Sequence, residues 1–270
     1  MRGFREKITW LFLFAVLFTV QSASAQILVG VKCGNIKYMV GVNIPLKITV
    51  INNTGEPLVF SKDYNNATLT LELEHDANAS GIADKKQIKR DIVILTGDTM
   101  DTVLDVREMM SLINPGAYQV KASVDYSGKV YTSRAYGFDI VQGIELLSRK
   151  RMLPGYSDIV LTHRLKYLGR EGKEDAFFII KDDDRDIIYG TFNLGPIVRI
   201  VPPVMKFDGN GRVIVVHQSG HSRFTRSVIK VTVNGAKFEK QTYHRPNGDI
   251  IKQYKALSVP EIKVPPEKKK

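Results

Sequence analysis

His217-Gln-Ser-Gly-His221 is the stretch richest in side chains that could do chemistry. In an extended strand, residues four apart share a face, so two imidazoles at this spacing could approach one Zn2+ or Cu2+. A third ligand would have to come from elsewhere, from His163 or His244, and Gly220 breaks the strand between the pair. The functional reading groups His163, His217, His221 and His244 as one ligand-binding set, with His163, His217 or His221 as the base of a hydrolase placed at a domain junction. The ordinary reading is of histidines at strand ends. A second concentration is acidic: Asp182, Asp183, Asp184 and Asp186 offer hard oxygen donors of the kind Ca2+ takes, with Asp182, Asp184 and Asp186 as the metal candidates. Their spacing is not that of a known calcium loop, so a solvated β-turn balanced by Arg185 is the expectation, and Asp208-Gly-Asn-Gly reads likewise as a hairpin turn.

No other cofactor or catalytic motif is present. The sequence has no phosphate-cradling glycine loop, no His-Glu-x-x-His helix, no Gly-x-Ser-x-Gly elbow and no cysteine cluster with metal spacing. Cys33 is the single cysteine, so no internal disulfide can form. It sits in an opening strand without a neighbouring histidine to activate it. No cofactor is implied, and the expectation is a non-enzymatic protein. Asn52, Asn66 and Asn78 each begin an Asn-x-Ser/Thr triplet, which would mark a glycosylated face only in a secreting eukaryote. Tyr126, Tyr131, Tyr136, Tyr156, Tyr167 and Tyr243 could stack a sugar or a peptide, although core and strand-pair roles account for most tyrosines of a β protein.

The elements that must position these residues are strands. From Asn114 to Val141 the chain reads as a long hairpin: Tyr118, Val120, Ala122 and Val124 alternate with polar residues, Ser127-Gly128-Lys129 turns, and Tyr136, Phe138 and Ile140 resume the alternation. Upstream, Ile27–Val29, Leu46–Val50, Leu58–Phe60, Leu69–Leu73 and Ile92–Leu95 read as short strands. Residues 75–90 read as a long polar loop, and Asp105 to Leu112 as one or two helical turns. Downstream of Gln142-Gly143 the strands continue as an antiparallel meander: Asp158–Leu168, Ala176–Ile180, Ile187–Leu194, Ile197–Val201, Val213–His217 and Val231–Phe238. The last of these holds an Asn-Gly hairpin turn.

Residues 1–25 have the form of a signal peptide. Arg2, Arg5 and Lys7 precede an apolar run from Ile8 to Val20, too short to span a bilayer as a helix, and Ala23-x-Ala25 offers a cleavage site before Gln26. Cleavage there leaves a mature chain with no tryptophan, exported to the periplasm or the exterior with no transmembrane span, and lowers the formal net charge from +11 to +9. That basic excess is spread along the chain. It points to anionic surfaces, an envelope polymer or a protein partner, rather than to a specific nucleic-acid groove.

The run Val42-Asn-Ile-Pro-Leu-Lys-Ile-Thr-Val-Ile-Asn-Asn resembles a strand and turn of bacterial exported immunoglobulin-like and fibronectin-III-like β-sandwiches. Leu112-Ile-Asn-Pro-Gly-Ala-Tyr118 resembles their tyrosine corner. The resemblance covers residues 26–142 and implies a β-sandwich, a fold that hosts many unrelated functions. The open edge strands of such a sandwich favour strand addition by a partner, so a non-enzymatic envelope protein that binds or supports others is the expectation. The same segment is similar to small bacterial sandwich inhibitors of proteinases, which implies an inhibitor or accessory module using the 75–90 loop. The expected organisation is thus all-β: a signal peptide at 1–25, an immunoglobulin-like sandwich at 26–142, an antiparallel β domain at 143–256 and a disordered basic tail at 257–270.

Overall fold

The computed structural model describes residues 26–61, 65–75, 84–109, 114–170 and 172–255. The proposed leader, Asn78 and the proposed basic tail lie outside the described residues. The chain is all-β. Its first part runs β1 (Ile27–Cys33), β2 (Lys37–Met39), β3 (Pro45–Asn52), β4 (Leu58–Phe60), β5 (Ala67–His75), β6 (Asp84–Gln87), β7 (Ile92–Ile94), β8 (Thr99–Asp105), a single helical turn α1 (Val106–Met109), β9 (Gly116–Tyr126), β10 (Lys129–Thr132) and β11 (Tyr136–Val141). No helix among the described residues is long and apolar enough to cross a membrane.

Two sheets form this first sandwich. One has the order β1-β3-β8; the other is β2-β11-β9-β5-β6 with β10 also on β9, and β4 pairs with β7 at the side. The alternation along β9 has the consequence that period two dictates. Tyr118, Val120, Ala122 and Val124 are buried, and they share one core with Leu46, Ile48 and Val50 of β3 and Leu69, Leu71 and Leu73 of β5. The β9–β10 turn carries Ser127 at φ 51° and Gly128 at φ 73°. Two consecutive positive φ values match the twist of the flanking strands. Tyr118 Oη donates to the Asn114 carbonyl at 2.7 Å, fixing the chain as it enters β9. The expected 75–90 loop is in part a strand, since β6 pairs with β5 from Thr70↔Gln87 to Leu73↔Asp84. Its residues Asp84–Gln87 are all exposed, so no apolar alternation announced it.

The second part is built from β12 (Ile144–Met152), β13 (Val160–Arg170), β14 (Lys173–Asp182), β15 (Ile187–Pro196), β16 (Val204–Phe207), β17 (Arg212–Gly220), β18 (Arg223–Thr232), β19 (Gly235–His244) and β20 (Ile250–Lys255). Consecutive strands pair, giving two meanders, β12-β13-β14-β15 and β16-β17-β18-β19-β20. Leu161, Leu165, Phe178 and Ile180 from the first meander pack against Val213, Val215, Ile229 and Val231 from the second. Phe178 is fully buried there, and removing such a ring from water contributes about 1.5–3 kcal/mol. The expected strand at Ile197–Val201 is instead a turn. Proline on both sides removes ladder donors, and Arg199 is held by a two-pronged bond to Glu174 at 2.8 Å and stacks 4.3 Å over the Tyr167 ring.

The two sandwiches share no sheet, yet they meet through a small buried core. Met39 touches Leu168, Phe177 and Ile179, which lie on the face of the β12–β15 sheet turned away from β16–β20. The approach is close: a side chain at Gly41, where φ is +81°, would place its Cβ 2.5 Å from Thr191 Oγ1. The outer face of the β16–β20 sheet is therefore the side of the second sandwich opposite the first.

Candidate functional site

A cleft of about 930 Å3 opens at one end of the second sandwich. One wall is the end of β12 with the 153–159 loop; the other is Phe207 and the β16–β17 turn. Leucine and valine side chains floor it, namely Leu153, Leu161, Val213 and Val231, while Met152, Tyr156 and Val160 stand exposed at the rim. Lys150 and Arg151 supply positive charge, and the Arg151 guanidinium lies 5.2 Å from the centre of the Phe207 ring.

His163 forms part of this wall. It points inward from β13, edge-on to Phe207 at 4.9 Å and 6.1 Å from Phe178. Its Nδ1 is buried without a hydrogen-bond partner. Burial pulls its pKa from the ordinary 6.5 down to about 4; carbonyls at Leu161 and Arg149 oppose the shift, and the charge on Arg151 adds to it. The imidazole is therefore neutral at neutral pH.

The other histidines lie elsewhere. His217 sits on the inner face of β17 with Nε2 3.1 Å from the Pro196 carbonyl and Nδ1 unpartnered. Burial lowers its pKa to about 4, against a raising pull from that carbonyl. Pro196 is in register with Asp175, and so with Leu168 of β13. That level is five residues from His163, ~17 Å along the sheet. His221 is exposed in the β17–β18 turn, and His244 is used by Thr242 Oγ1 at 2.7 Å and the Gly248 carbonyl at 3.0 Å. The structure does not bring His163 and His217 together, and no group of three His, Cys, Asp or Glu placed to hold a metal exists among the described residues. The His163 site also lies at the far end of the second sandwich from the junction at 142–143, not in the junction itself.

The acidic run closes the β14–β15 turn. Asp182 is buried and its Oδ1 accepts from the backbone N–H groups of Asp184 and Arg185. Asp183 takes Thr162 and both prongs of Arg164, and the Arg164 bond holds its carboxyl below the usual carboxylate range. Asp186 pairs with Lys181 at 2.5 Å. The carboxylates of Asp182 and Asp186 thus serve separate local tasks, and Asp184 enters the turn through its backbone N–H. Asp208 likewise caps its own hairpin by accepting from the Arg212 and Asn210 N–H groups, the Arg212 bond being the first cause of its lowered pKa. Cys33 is buried and its thiol is pushed up to about 12, so it is no thiolate nucleophile.

Asn52 is fully buried. Its Nδ2 donates to the Glu56 and Ile94 carbonyls, and its Oδ1 accepts from Thr54 N–H and Oγ1. In the folded protein it is no glycan acceptor but the clasp of the β3–β4 turn. Asn66 is used in the same manner by Pro57 and Val59.

The residue set that the sequence did not announce is β12. Arg149, Lys150 and Arg151 are exposed on this strand, which pairs with β13 on one side only. Among the described residues none of the three has a carboxylate within salt-bridge distance, whereas Arg164 on the next strand has two. The one local signal is the basic triplet itself, since Ser148–Arg151 shows no apolar alternation that would mark a strand.

No family model matches the sequence, and no curated protein matches it. Several solved structures show distant likenesses. The alkylpurine DNA glycosylase AlkC of Pseudomonas fluorescens, bound to DNA containing an abasic site analog, aligns at TM-score 0.30 and 14% identity over 43% of this chain, which spans 30% of the glycosylase. A CARDB domain from Pyrococcus furiosus in complex with di-metal ions aligns at TM-score 0.29 and 11% identity, covering 43% of this chain and 89% of that one. Spo0M, a sporulation control protein of Bacillus subtilis, aligns at TM-score 0.27 and 10% identity, covering 63% and 91%.

Proposed function

We propose that this is an exported binding protein of the cell envelope, periplasmic or extracellular, that captures a partner protein by strand addition and does not turn it over. The observation that carries the reading is the free edge of β12. A strand paired on one side only offers a row of backbone donors and acceptors to an incoming extended segment. Here that edge bears Arg149, Lys150 and Arg151 without carboxylate partners among the described residues, and it ends at the cleft rim of Met152, Tyr156 and Val160. An acidic segment laid along β12 would have its charge met by the triplet and one apolar side chain received by the cleft. His163 lies in the cleft wall as a neutral group able to give or take one hydrogen bond. This basic aromatic pocket suits recognition, because no hydroxyl or carboxylate is hydrogen-bonded to His163 among the described residues.

The test is capture from envelope extract by the protein and by its Arg149→Glu/Lys150→Glu/Arg151→Glu variant, compared across a range of salt. A partner retained by the parent and released by the variant is expected. Identical profiles from the two would remove β12 from the reading, and hydrolysis of any recovered partner would remove the non-enzymatic part.

A further inference from the structure

We infer that the outer face of the β16–β20 sheet docks onto an anionic phospholipid surface. This goes beyond partner capture at β12 and does not depend on it. The registers define the face. One row across the sheet reads Lys206–Ile214–Val228–Lys240, and the next reads Val204–Val216–Arg226–Thr242. A third pairs Lys230 with Lys237. The alternate residues, among them Val213, Val215, Ile229 and Val231, fill the core, so these rows point outward.

Two features of the face point to lipid. The first is charge. Lys206, Arg226, Lys237 and Lys240 have no carboxylate within salt-bridge distance among the described residues, and the nearest acids are occupied: Glu239 and Asp208 by Arg212, Asp249 by Asn247. The second is an apolar fringe along one end. Gln218, Phe224, His244 and Ile250 follow one another in register, and the 198–203 turn folds over Gln218 through bonds from Val198 N–H to its carbonyl and from Val201 N–H to its Oε1. This places Ile200, 72% exposed, and Val201 at one corner, Val204 on the edge strand, and Ile250, 60% exposed, at the other corner. From Gln218 to Ile250 is ~15 Å at the usual strand spacing.

Charge alone would fit any polyanion. Aliphatic side chains standing free beside unpaired bases fit a bilayer, where cations meet headgroups and apolar tips enter the acyl boundary. The first sandwich packs on the opposite sheet, through Leu168, Phe177 and Ile179, so no strand among the described residues packs over this face.

The test measures binding of the purified protein to vesicles of phosphatidylcholine with phosphatidylglycerol and of phosphatidylcholine alone. The readout is the ratio of the two affinities. A base near an anionic surface is worth about fivefold, so Lys206→Gln/Lys240→Gln is expected to lower the ratio about 25-fold. Lys32→Gln/Lys129→Gln, equal in charge but on the first sandwich, should leave it unchanged. Ile200→Ser/Ile250→Ser should weaken binding to both vesicles. All six positions except Lys240 are exposed, and unchanged circular dichroism certifies each fold. A ratio near one for the parent protein, or equal losses from the two lysine pairs, would overturn the inference. So would dextran sulfate binding that depends on Lys206 and Lys240 while vesicles are ignored, since the ligand would then be a soluble polyanion.

Discussion

Acidification should destabilise this protein through two histidines. His163 and His217 are each buried, and burial takes both from the ordinary 6.5 to about 4. A base whose folded pKa lies below its unfolded value takes up a proton more readily in the unfolded chain. Their stabilisation is therefore complete above about 6.5 and is lost as pH falls through the window toward about 4. At about pH 5 the unfolded imidazoles are nearly all protonated and the folded ones nearly all neutral, a difference worth about 2 kcal/mol for each histidine and about 4 for the pair. Asp183 and Asp208, held low by Arg164 and by the Arg212 N–H, have both folded and unfolded titrations below that window. Urea unfolding followed by tyrosine fluorescence at about pH 7.5 and about pH 5 measures the loss. His163→Phe, which keeps an aromatic ring between Phe178 and Phe207, should halve the pH dependence, and His217→Gln, which keeps a donor for Pro196, should remove the other half. Equal stability at the two pH values, or a pH dependence untouched by both substitutions, would refute the reasoning.

Other perturbations follow from single contacts. Asn52→Ala removes four hydrogen bonds and leaves the Ile94 carbonyl and the Thr54 N–H without their Asn52 partner in a dry turn, while the Thr54 hydroxyl keeps the Glu56 carbonyl; a loss of about 3 kcal/mol is expected in equilibrium unfolding. Tyr118→Phe keeps the stacks on His75 and Phe138 but drops the bond to Asn114, so it should cost only about 1 kcal/mol by the same assay. Gly41→Val forces a branched residue to φ +81° with its Cβ against Thr191. It should destabilise the joint between the sandwiches by about 1–3 kcal/mol and enlarge the radius of gyration in X-ray scattering, while each sandwich keeps its circular dichroism.

The parts of the fold that were legible in the sequence are those where one sheet face is core and the other solvent. Along β9, the alternation of Tyr118 to Val124 with Gln119, Lys121 and Ser123 leaves only one register that buries the apolar set. The two meanders were legible for the same reason, through Leu161, Leu165 and the Val213–Val215 pair. Edges were not. β6 is exposed throughout, and β12 carries four polar residues in succession, because an edge strand answers to solvent and partners more than to a core. The histidines show a different limit. Four residues of spacing placed His217 and His221 on one strand face, but Gly220 and the turn sent one inward and the other to solvent. Which histidine lines the cleft was set by contacts that no local pattern contains: Phe207 comes from a strand more than forty residues after His163. The Asn52 triplet looked like a surface signal, whereas long-range bonds to Ile94 make it core.

The proposed role of β12 is tested most directly by covalent capture at the strand itself. A photoactivatable phenylalanine analogue in place of Ser148, and in a second preparation in place of Lys129 at the β9–β10 turn, would be irradiated in intact envelopes. A discrete heavier adduct from position 148 and none from position 129 is the expected result. No adduct from 148, or the same diffuse pattern from both positions, would contradict strand capture at β12.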